Sequence, residues 1–386
     1  MGDRAIFTAV LIGLQALAAF ILIWGLKLQG RWAIGAVAGF VLFSLPLPYL
    51  MGLAGHARQP SLLTAALVVR PVFAWHFNWL AFLLFLAPVI ILGRAAGWLS
   101  GWPWVLPGLR AVMLSGIGLW TLATIIGLAG TLRPPRITTQ EVIIPGLPPE
   151  QSGIRLVQLS DPHVAWWNAR AEMERIGEMI MQLQPDLFVL TGDMVDHHPD
   201  YVHVLADGLE GLKPRLGRYA IIGNHDVYTG AEAVSKRMEE RGFHVLRNQC
   251  LGLEERGARL ALLGMEDSGA NWTGADPWEE MIPHYLADCP AGLPVILLAH
   301  RPSAFERVQG RPVALTLAGH THGGQLRLPF GLPGLAHLGF QRPSGLYRVA
   351  GQTLYTSRGT GTVGWPFRLN CPPEITLFIL RAEKNP

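Results

Sequence analysis

Residues 154–163 read IRLVQLSDPH, six mostly apolar positions followed by an abrupt change to Ser160, Asp161, Pro162 and His163. Bulky aliphatic side chains suit a buried strand, and the polar group stands where such a strand would leave its sheet. The arrangement returns at 187–196, LFVLTGDMVD, and at 219–226, YAIIGNHD. Between the first two, Met173, Ile176, Ile180 and Leu183 recur at helical spacing within 169–183. Further apolar runs lie at 260–263, 295–298 and 314–317, and the last two close in Ala299-His300 and in Gly319-His320-Thr321-His322-Gly323-Gly324-Gln325. Residues 345–355 read as a hairpin turning at Gly351, and 375–380 as a final strand. Strands alternating with helices build an α/β sheet whose sites lie at the carboxyl ends of its strands. Asp161, Asp193 and Asn224 follow one another at roughly 30 residues, the length of a βαβ unit, so their groups should meet at one sheet edge.

The chain around this region is unusual for a soluble protein: of its 386 residues 50% are hydrophobic and only 15% charged. The apolar excess lies before residue 137, in four charge-free stretches at 5–26, 32–53, 71–93 and 111–132. At about 1.5 Å per residue each is roughly 33 Å long, enough for a hydrocarbon core of about 30 Å. They read as four transmembrane helices of a multi-pass domain over 1–136, the first retained because it is long and lacks a small-residue cleavage site. Pro46, Pro48 and Pro88 would kink their spans. The short apolar pieces 61–69 and 97–109 stay outside the spans, and Trp98, Trp102 and Trp104 of the second suit an interfacial loop. No Asp, Glu, Lys or Arg falls within a span, so the ion-relay signature of a transporter is missing. His76 and Asn78, the polar pair of the third span, read as a hydrogen-bonded helix contact.

Charge divides the chain in the same place. Residues 1–136 hold nine Lys/Arg and one acid, a net of +8, and the remainder holds 22 Lys/Arg and 27 Asp/Glu, a net of −5. A negative second half is a poor binder of polyanions, and no nucleic-acid partner is expected. Cys250, Cys289 and Cys371 are spaced as neither a disulfide framework nor a zinc finger. With the N-terminus inside, Arg4, Arg58, Arg70, Arg133 and Arg136 face Lys27, Arg31, Arg94 and Arg110 across the membrane. That small excess, an even number of spans and thiols taken as free place the second half on the cytoplasmic face. The prolines at 134–135 and 145–149 make 137–150 a stiff linker to a catalytic domain over 151–386.

The five strand-end blocks, in this order, resemble the calcineurin-like metallophosphoesterase superfamily over about residues 143–380. Residues 319–325 and a tail holding Ser357, Arg358, Gly359, Pro366, Arg368 and Pro373 are similar to its YkuE-like, membrane-associated branch. The resemblance implies a four-layer sandwich, two β-sheets flanked by helices, and two divalent metal ions. Asp161, His163 and His322 would hold one ion and Asn224, His300 and His320 the other, with Asp193 bridging them. Carboxylate, amide and imidazole without thiolate suit Mn²⁺, Fe or Zn²⁺. The implied reaction is hydrolysis of a phosphoester or pyrophosphate bond by in-line attack of a hydroxide shared between the metals. His225 would bind the phosphate or protonate the leaving group, oriented by Asp196. Asp226 reads as a local loop stabiliser, and His197 and His198 as an exposed helix start. Gly192, Gly223 and Gly319 precede ligands, where a missing Cβ permits unusual dihedrals and close approach.

Apolar segments flank these blocks: 164–167 with Trp166 and Trp167; 326–340 with Leu328, Phe330, Leu332, Leu335, Leu338 and Phe340; and 363–367. On a membrane-tethered domain they suggest docking onto the bilayer or an acyl chain. The expected partners are therefore the lipid bilayer and a phosphorylated lipid or lipid-linked nucleotide. Related branches include enzymes that cleave a nucleotide diacylglucosamine. A nuclease or cyclic-nucleotide phosphodiesterase is the alternative within the same chemistry. A transporter or receptor with an inactive regulatory phosphoesterase domain is the alternative outside it.

Overall fold

Apolar composition and the near absence of charge make the N-terminal part helical in the computed structural model, which describes residues 2–47, 50, 60–270, 274–328, 334–364 and 366–383. The helices are α1 (Gly2–Leu26), α2 (Arg31–Ser44), a continuous run α3 over 62–100 with π-helical stretches at Ala65–Val69 and Phe82–Leu86, and α4 (Val105–Thr131). Among the described residues, Thr8–Leu26, Phe82–Ser100 and Pro107–Thr131 are long and apolar enough to cross a membrane. The stretches expected at 5–26 and 111–132 fall on α1 and α4. The one expected at 71–93 lies wholly within α3, which starts at Leu62 and ends at Ser100 and whose stretches Leu62–His76 and Phe82–Ser100 are both apolar. The stretch expected at 32–53 is helical to Ser44, and most of its remainder lies outside the described residues.

Arginine explains the shifted limits. Arg70 is buried within α3, and the Arg94 guanidinium lies 5.3 Å from the Trp24 ring. Arg94 and Arg110 thus sit inside long apolar helices, against the expectation of charge-free spans. The two short pieces outside the expected spans are also largely helical: 62–69 belongs to α3, and 97–109, expected as an interfacial loop, breaks only at 101–104. Buried polar groups tie these helices together. Asn78 Oδ1 accepts from Trp120 Nε1 and Thr124 Oγ1, both at 3.0 Å. Gln15 Oε1 accepts from Ser44 Oγ at 2.9 Å and Trp75 Nε1 at 3.1 Å.

Gly130–Gly364 and the chain from Arg368 onward form a second compact unit around two six-stranded sheets. The first sheet runs, in spatial order, β1 (Arg136–Ile143), β12 (Glu374–Arg381), β2 (Ile154–Leu159), β3 (Leu187–Thr191), β4 (Arg218–Ile221) and β5 (His244–Val245). The second runs β10 (Gly345–Val349), β11 (Gln352–Thr356), β9 (Val313–Ala318), β8 (Val295–Leu298), β7 (Ala261–Gly264) and β6 (Gln249–Gly252). Alternate side chains of a strand point to opposite faces. Leu156, Val189 and Ile221 of the first sheet therefore meet Leu262, Leu298 and Leu317 of the second in one core. Outside the first sheet lie α5 (Arg170–Gln182), α6 (Val202–Gly208) and α7 (Asn224–Glu240); α5 buries Met173, Ile176 and Ile180. Outside the second, Leu263 and Leu297 pack with Ile282 and Leu286 of α8 (Ile282–Ala287) and with Phe305. The expected sandwich of two sheets flanked by helices is thus the fold observed.

Two features depart from the sequence reading. The segment taken as a linker holds β1, which pairs in parallel with β12 from Arg136↔Glu374 to Ile143↔Arg381. Prolines on both sides hid it, although Ile137, Thr138, Thr139 and Val142 are good strand formers. Cys250 on β6 and Cys289 beyond α8 are joined by a disulfide, their Cα atoms 5.1 Å apart, leaving Cys371 as the free, buried cysteine. The pairing runs across the fold, so the spacing in sequence could not announce it.

A fragment starting at residue 151 would leave β12 as a bare edge, whereas one starting at 134 keeps the ladder. The longer fragment should be monomeric and cooperative in thermal unfolding, and the shorter one aggregated or several degrees less stable. Equal melting temperatures and equal solubility would show that β1 is dispensable.

Candidate metal centre

Both sheets deliver their polar blocks to one edge. Asp161 and His163 follow β2, Asp193 and Asp196 follow β3, Asn224 and His225 open α7 after β4, His300 follows β8, and His320 and His322 follow β9. Asp161, His163, Asp193, Asp196, Asn224, His300 and His322 are buried, whereas His225 and His320 are half-buried. The last two line a cleft of about 170 Å³ with Asp193, Asn224, His322 and Phe340.

Within this edge the side chains form two clusters. In the first, His163 Nε2 is 2.9 Å from His322 Nε2, which is 3.5 Å from Asp161 Oδ1. In the second, Asn224 Oδ1 is 3.1 Å from His300 Nε2 and 3.0 Å from His320 Nδ1. Asp193 Oδ2 lies between them, 3.5 Å from His163 Nε2 and 3.1 Å from His300 Nε2.

The donor chemistry fits cations. His300 Nδ1 is 2.9 Å from the Thr191 carbonyl, which can only accept, so the Nδ1 proton is engaged there and a neutral ring turns its Nε2 lone pair inward. His163 Nδ1 is likewise held 3.1 Å from both Asp196 oxygens. Imidazole nitrogens so oriented face other lone pairs at contact distance, an arrangement that needs positive charge between them. With no ion, protons supply it. Burial opposes protonation of His163, but the carboxylates of Asp196, Asp193 and Asp161 outweigh it and raise the ring to about 9. Burial is likewise outweighed at His300, where Asp193 and Asp161 raise the ring to about 10. Asp193 is held well below the usual carboxylate range despite burial, chiefly by His300. His322 stays far below the ordinary histidine value through burial and the charges of His163 and Arg368.

The backbone is bent to reach this convergence. Asp161, His163, Asp193, His320 and His322 all have φ between +44° and +68°. Each such left-handed residue costs roughly 1–2 kcal/mol. Of the three glycines read as relieving this strain, only Gly192, at φ +86°, does so. Gly223 and Gly319 serve close approach instead: a Cβ there would lie 2.3 Å from Asp193 Oδ1 and 2.2 Å from Asp161 Oδ2. The unusual dihedrals fall mainly on the candidate ligands.

Around the clusters stand the positioning groups. His225 Nδ1 is 2.7 Å from Asp196 Oδ1, and its backbone N–H donates to Asp193 Oδ1 at 2.8 Å. Asp196 therefore serves His163 and His225 together, and these two hold it far below the usual range despite burial. Asp226 accepts from the backbone N–H groups of Met194, Val195 and Gly223, binding the second strand exit to the third. His197 packs its ring on Trp167 at 5.3 Å, and His198 Nδ1 accepts from Asp200 N in a short 3-10 turn; both are outside the clusters. Sequence reasoning assigned no role to Arg368, which is buried and donates to the carbonyls of Arg358, Gly359, Gly361 and Cys371 with one nitrogen 3.4 Å from His322 Nδ1. Nor did it find Arg301, buried behind His300 and paired with Asp267 at 2.6 and 2.9 Å. Only their sequence neighbourhood to motif blocks could have signalled them.

The flanking apolar segments divide. Trp166 is buried with Val164 and Ala165, whereas Trp167 is half-buried with its ring against His197, so most of the first segment is core. In the second, Leu328 and Leu338 are exposed, and Phe340 stands edge-on to His320 with centroids 5.7 Å apart. Phe330 and Leu332, like the side chain of Leu335, lie outside the described residues.

Comparison with known proteins bears on this geometry. Residues 154–324 match the family described as calcineurin-like phosphoesterase. The "Transmembrane protein with metallophosphoesterase domain" of Danio rerio is 35% identical over 67% of this chain and 60% of its own length. The Bos taurus protein of the same name is 34% identical, with 61% of its length covered, so the chain spans about three fifths of these two relatives. The "Uncharacterized metallophosphoesterase YkuE" of Bacillus subtilis is 34% identical over 66% of this chain and 90% of its own. The "Phosphodiesterase YaeI" of Escherichia coli is 32% identical over 52% and 72%. Among solved structures, a 5'-nucleotidase precursor from Thermus thermophilus overlaps 54% of this chain and 49% of its own at 15% identity and a TM-score of 0.33. With a YkuE relative covered almost end to end, the chain belongs to the calcineurin-like metallophosphoesterase family.

Proposed function

We propose that this metal-dependent phosphoesterase is an integral membrane enzyme that uses two divalent ions to cleave a phosphoester or pyrophosphate bond in a lipid or lipid-linked substrate. The observation that carries the reading is Asp193 Oδ2, placed between two clusters of inward lone pairs. Asp161, His163 and His322 would hold one ion, Asn224, His300 and His320 the other, and Asp193 both. Mn²⁺, Fe and Zn²⁺ all suit such oxygen and nitrogen donors. When bound, the pair supplies Lewis acidity toward phosphoryl oxygens and lowers the pKa of water. His225, half-exposed at the cleft, delivers a proton or a hydrogen bond to the leaving oxygen, with Asp196 fixing its ring. Asp226 keeps two strand exits in place, and Arg368 stands against the His322 ring. A diester substrate agrees with the name of the Escherichia coli relative, phosphodiesterase YaeI.

The lipid part of the reading draws on the long apolar helices and on Leu338, 88% exposed in the segment that also brings Phe340 to the cleft. It is tested by incubating the purified full chain with Mn²⁺ and extracted membrane lipids and identifying the species that disappear. Turnover of a soluble chromogenic diester with no lipid species consumed would reject the lipid substrate and keep the chemistry.

Three outcomes follow from the site. Asp193→Ala should lose activity and both ions together, and two tightly bound ions in that variant by metal analysis would refute the bridging carboxylate. His225→Ala should keep its metals and lose about 10²- to 10⁴-fold in turnover, less for leaving groups as good as nitrophenolate. Equal losses across leaving groups would reduce His225 to a phosphate contact. Because His163 and His300 without ions stay protonated up to about 9 and 10, metal uptake at neutral pH should expel protons. Loading should strengthen as pH rises and fail on acidification. Titration calorimetry in buffers of different ionisation enthalpy measures this, and zero net proton release would contradict it.

A further inference from the structure

Four cations of the helical unit gather at one end. Arg94 lies over Trp24, and Arg110 Nε donates to the Leu26 carbonyl at 2.9 Å, while Lys27 and Arg31 flank the turn between α1 and α2. No acid occurs between Asp3 and Arg136 to neutralise them. Of the other cations before residue 137, Arg70 is buried in α3 and Arg136 opens β1, which leaves Arg4 and Arg133 among the described residues and Arg58 from the sequence alone. Short basic connections are retained in the cytoplasm. Arg110 stands near the start of α4, and the catalytic half follows its far end at Thr131.

The cysteines point the same way from a different part of the chain. Cys250 and Cys289, 39 residues apart, close a disulfide between β6 and the turn after α8. Both are only partly buried, so a reducing compartment would keep them as thiols.

We infer that the catalytic half works on the oxidising, non-cytosolic face of the membrane, with the basic end of the helical unit in the cytoplasm. This reverses the expectation drawn from sequence, whose premise was free thiols and a five-to-four charge excess. Together with the phosphohydrolase reading, on which this part rests, it assigns the site to lipid-borne phosphoesters displayed on that outer face. Nucleotide-linked lipids confined to the cytosol are excluded. The reaction that supplies the substrate must then be one that exports or flips a phosphorylated lipid.

The test uses the full chain in a bacterial host and two readouts that do not depend on hydrolysis. A reporter phosphatase active only outside the cytoplasm is fused after Pro386. In parallel, cells expressing the unfused chain are acid-quenched, and the denatured protein is treated with a maleimide-polyethylene glycol. The expected result is strong reporter activity in intact cells and one adduct, on Cys371, rising to three after reduction, since the chain has three cysteines. A silent reporter, or more than one adduct without reduction, overturns the inference and leaves the chemistry of the site untouched.

Discussion

Lone pairs brought so close that only a cation or added protons can reconcile them are the constraint on which the catalytic half depends. Asn224, His300 and His320 on one side, and Asp161, His163 and His322 on the other, converge because two sheets end at the same edge. Such a cluster is costly to bury unless a charge fills it. The surrounding structure keeps it from relaxing: the Thr191 carbonyl and Asp196 fix two rings, and Asp226 ties two strand exits by three backbone hydrogen bonds. Gly223 and Gly319 let neighbouring strands approach where a methyl group would collide with a carboxylate.

How much of this was legible in the sequence follows the range of each interaction. The buried strands β2, β3, β8 and β9 are short apolar runs, and their polar endings stand in the adjoining residues, so fold class and candidate ligands could be read locally. β1 could not, because its partner β12 lies at the far end of the chain and its flanking prolines resemble a linker. The Cys250–Cys289 pair and the roles of Arg301 and Arg368 likewise arise only when distant segments meet. Trp166 was misread for the complementary reason: an apolar residue beside a polar block says nothing of whether it faces solvent or core.

In the helical unit the error came from treating charge as a boundary. Arginine carries a long apolar stem, and its guanidinium can rest on an indole or a free carbonyl. Arg94 on Trp24 and Arg110 on the Leu26 carbonyl show both solutions, and they let α3 and α4 run through positions at which a charge-free criterion stops. Asn78 and Gln15 add directional contacts where apolar packing alone would leave helix rotation poorly defined.

The left-handed backbone of five candidate ligands sets selection for folding against selection for chemistry. An L-amino acid with a branched or ringed side chain is a poor choice at those dihedral angles, and glycine would fold there more readily. Asp and His stand at those positions because they offer the donor atoms. The edge of the sandwich is therefore the region in which substitutions that improve foldability remove function. A search for stabilised variants of this protein would drift toward an inert scaffold unless those positions were held fixed.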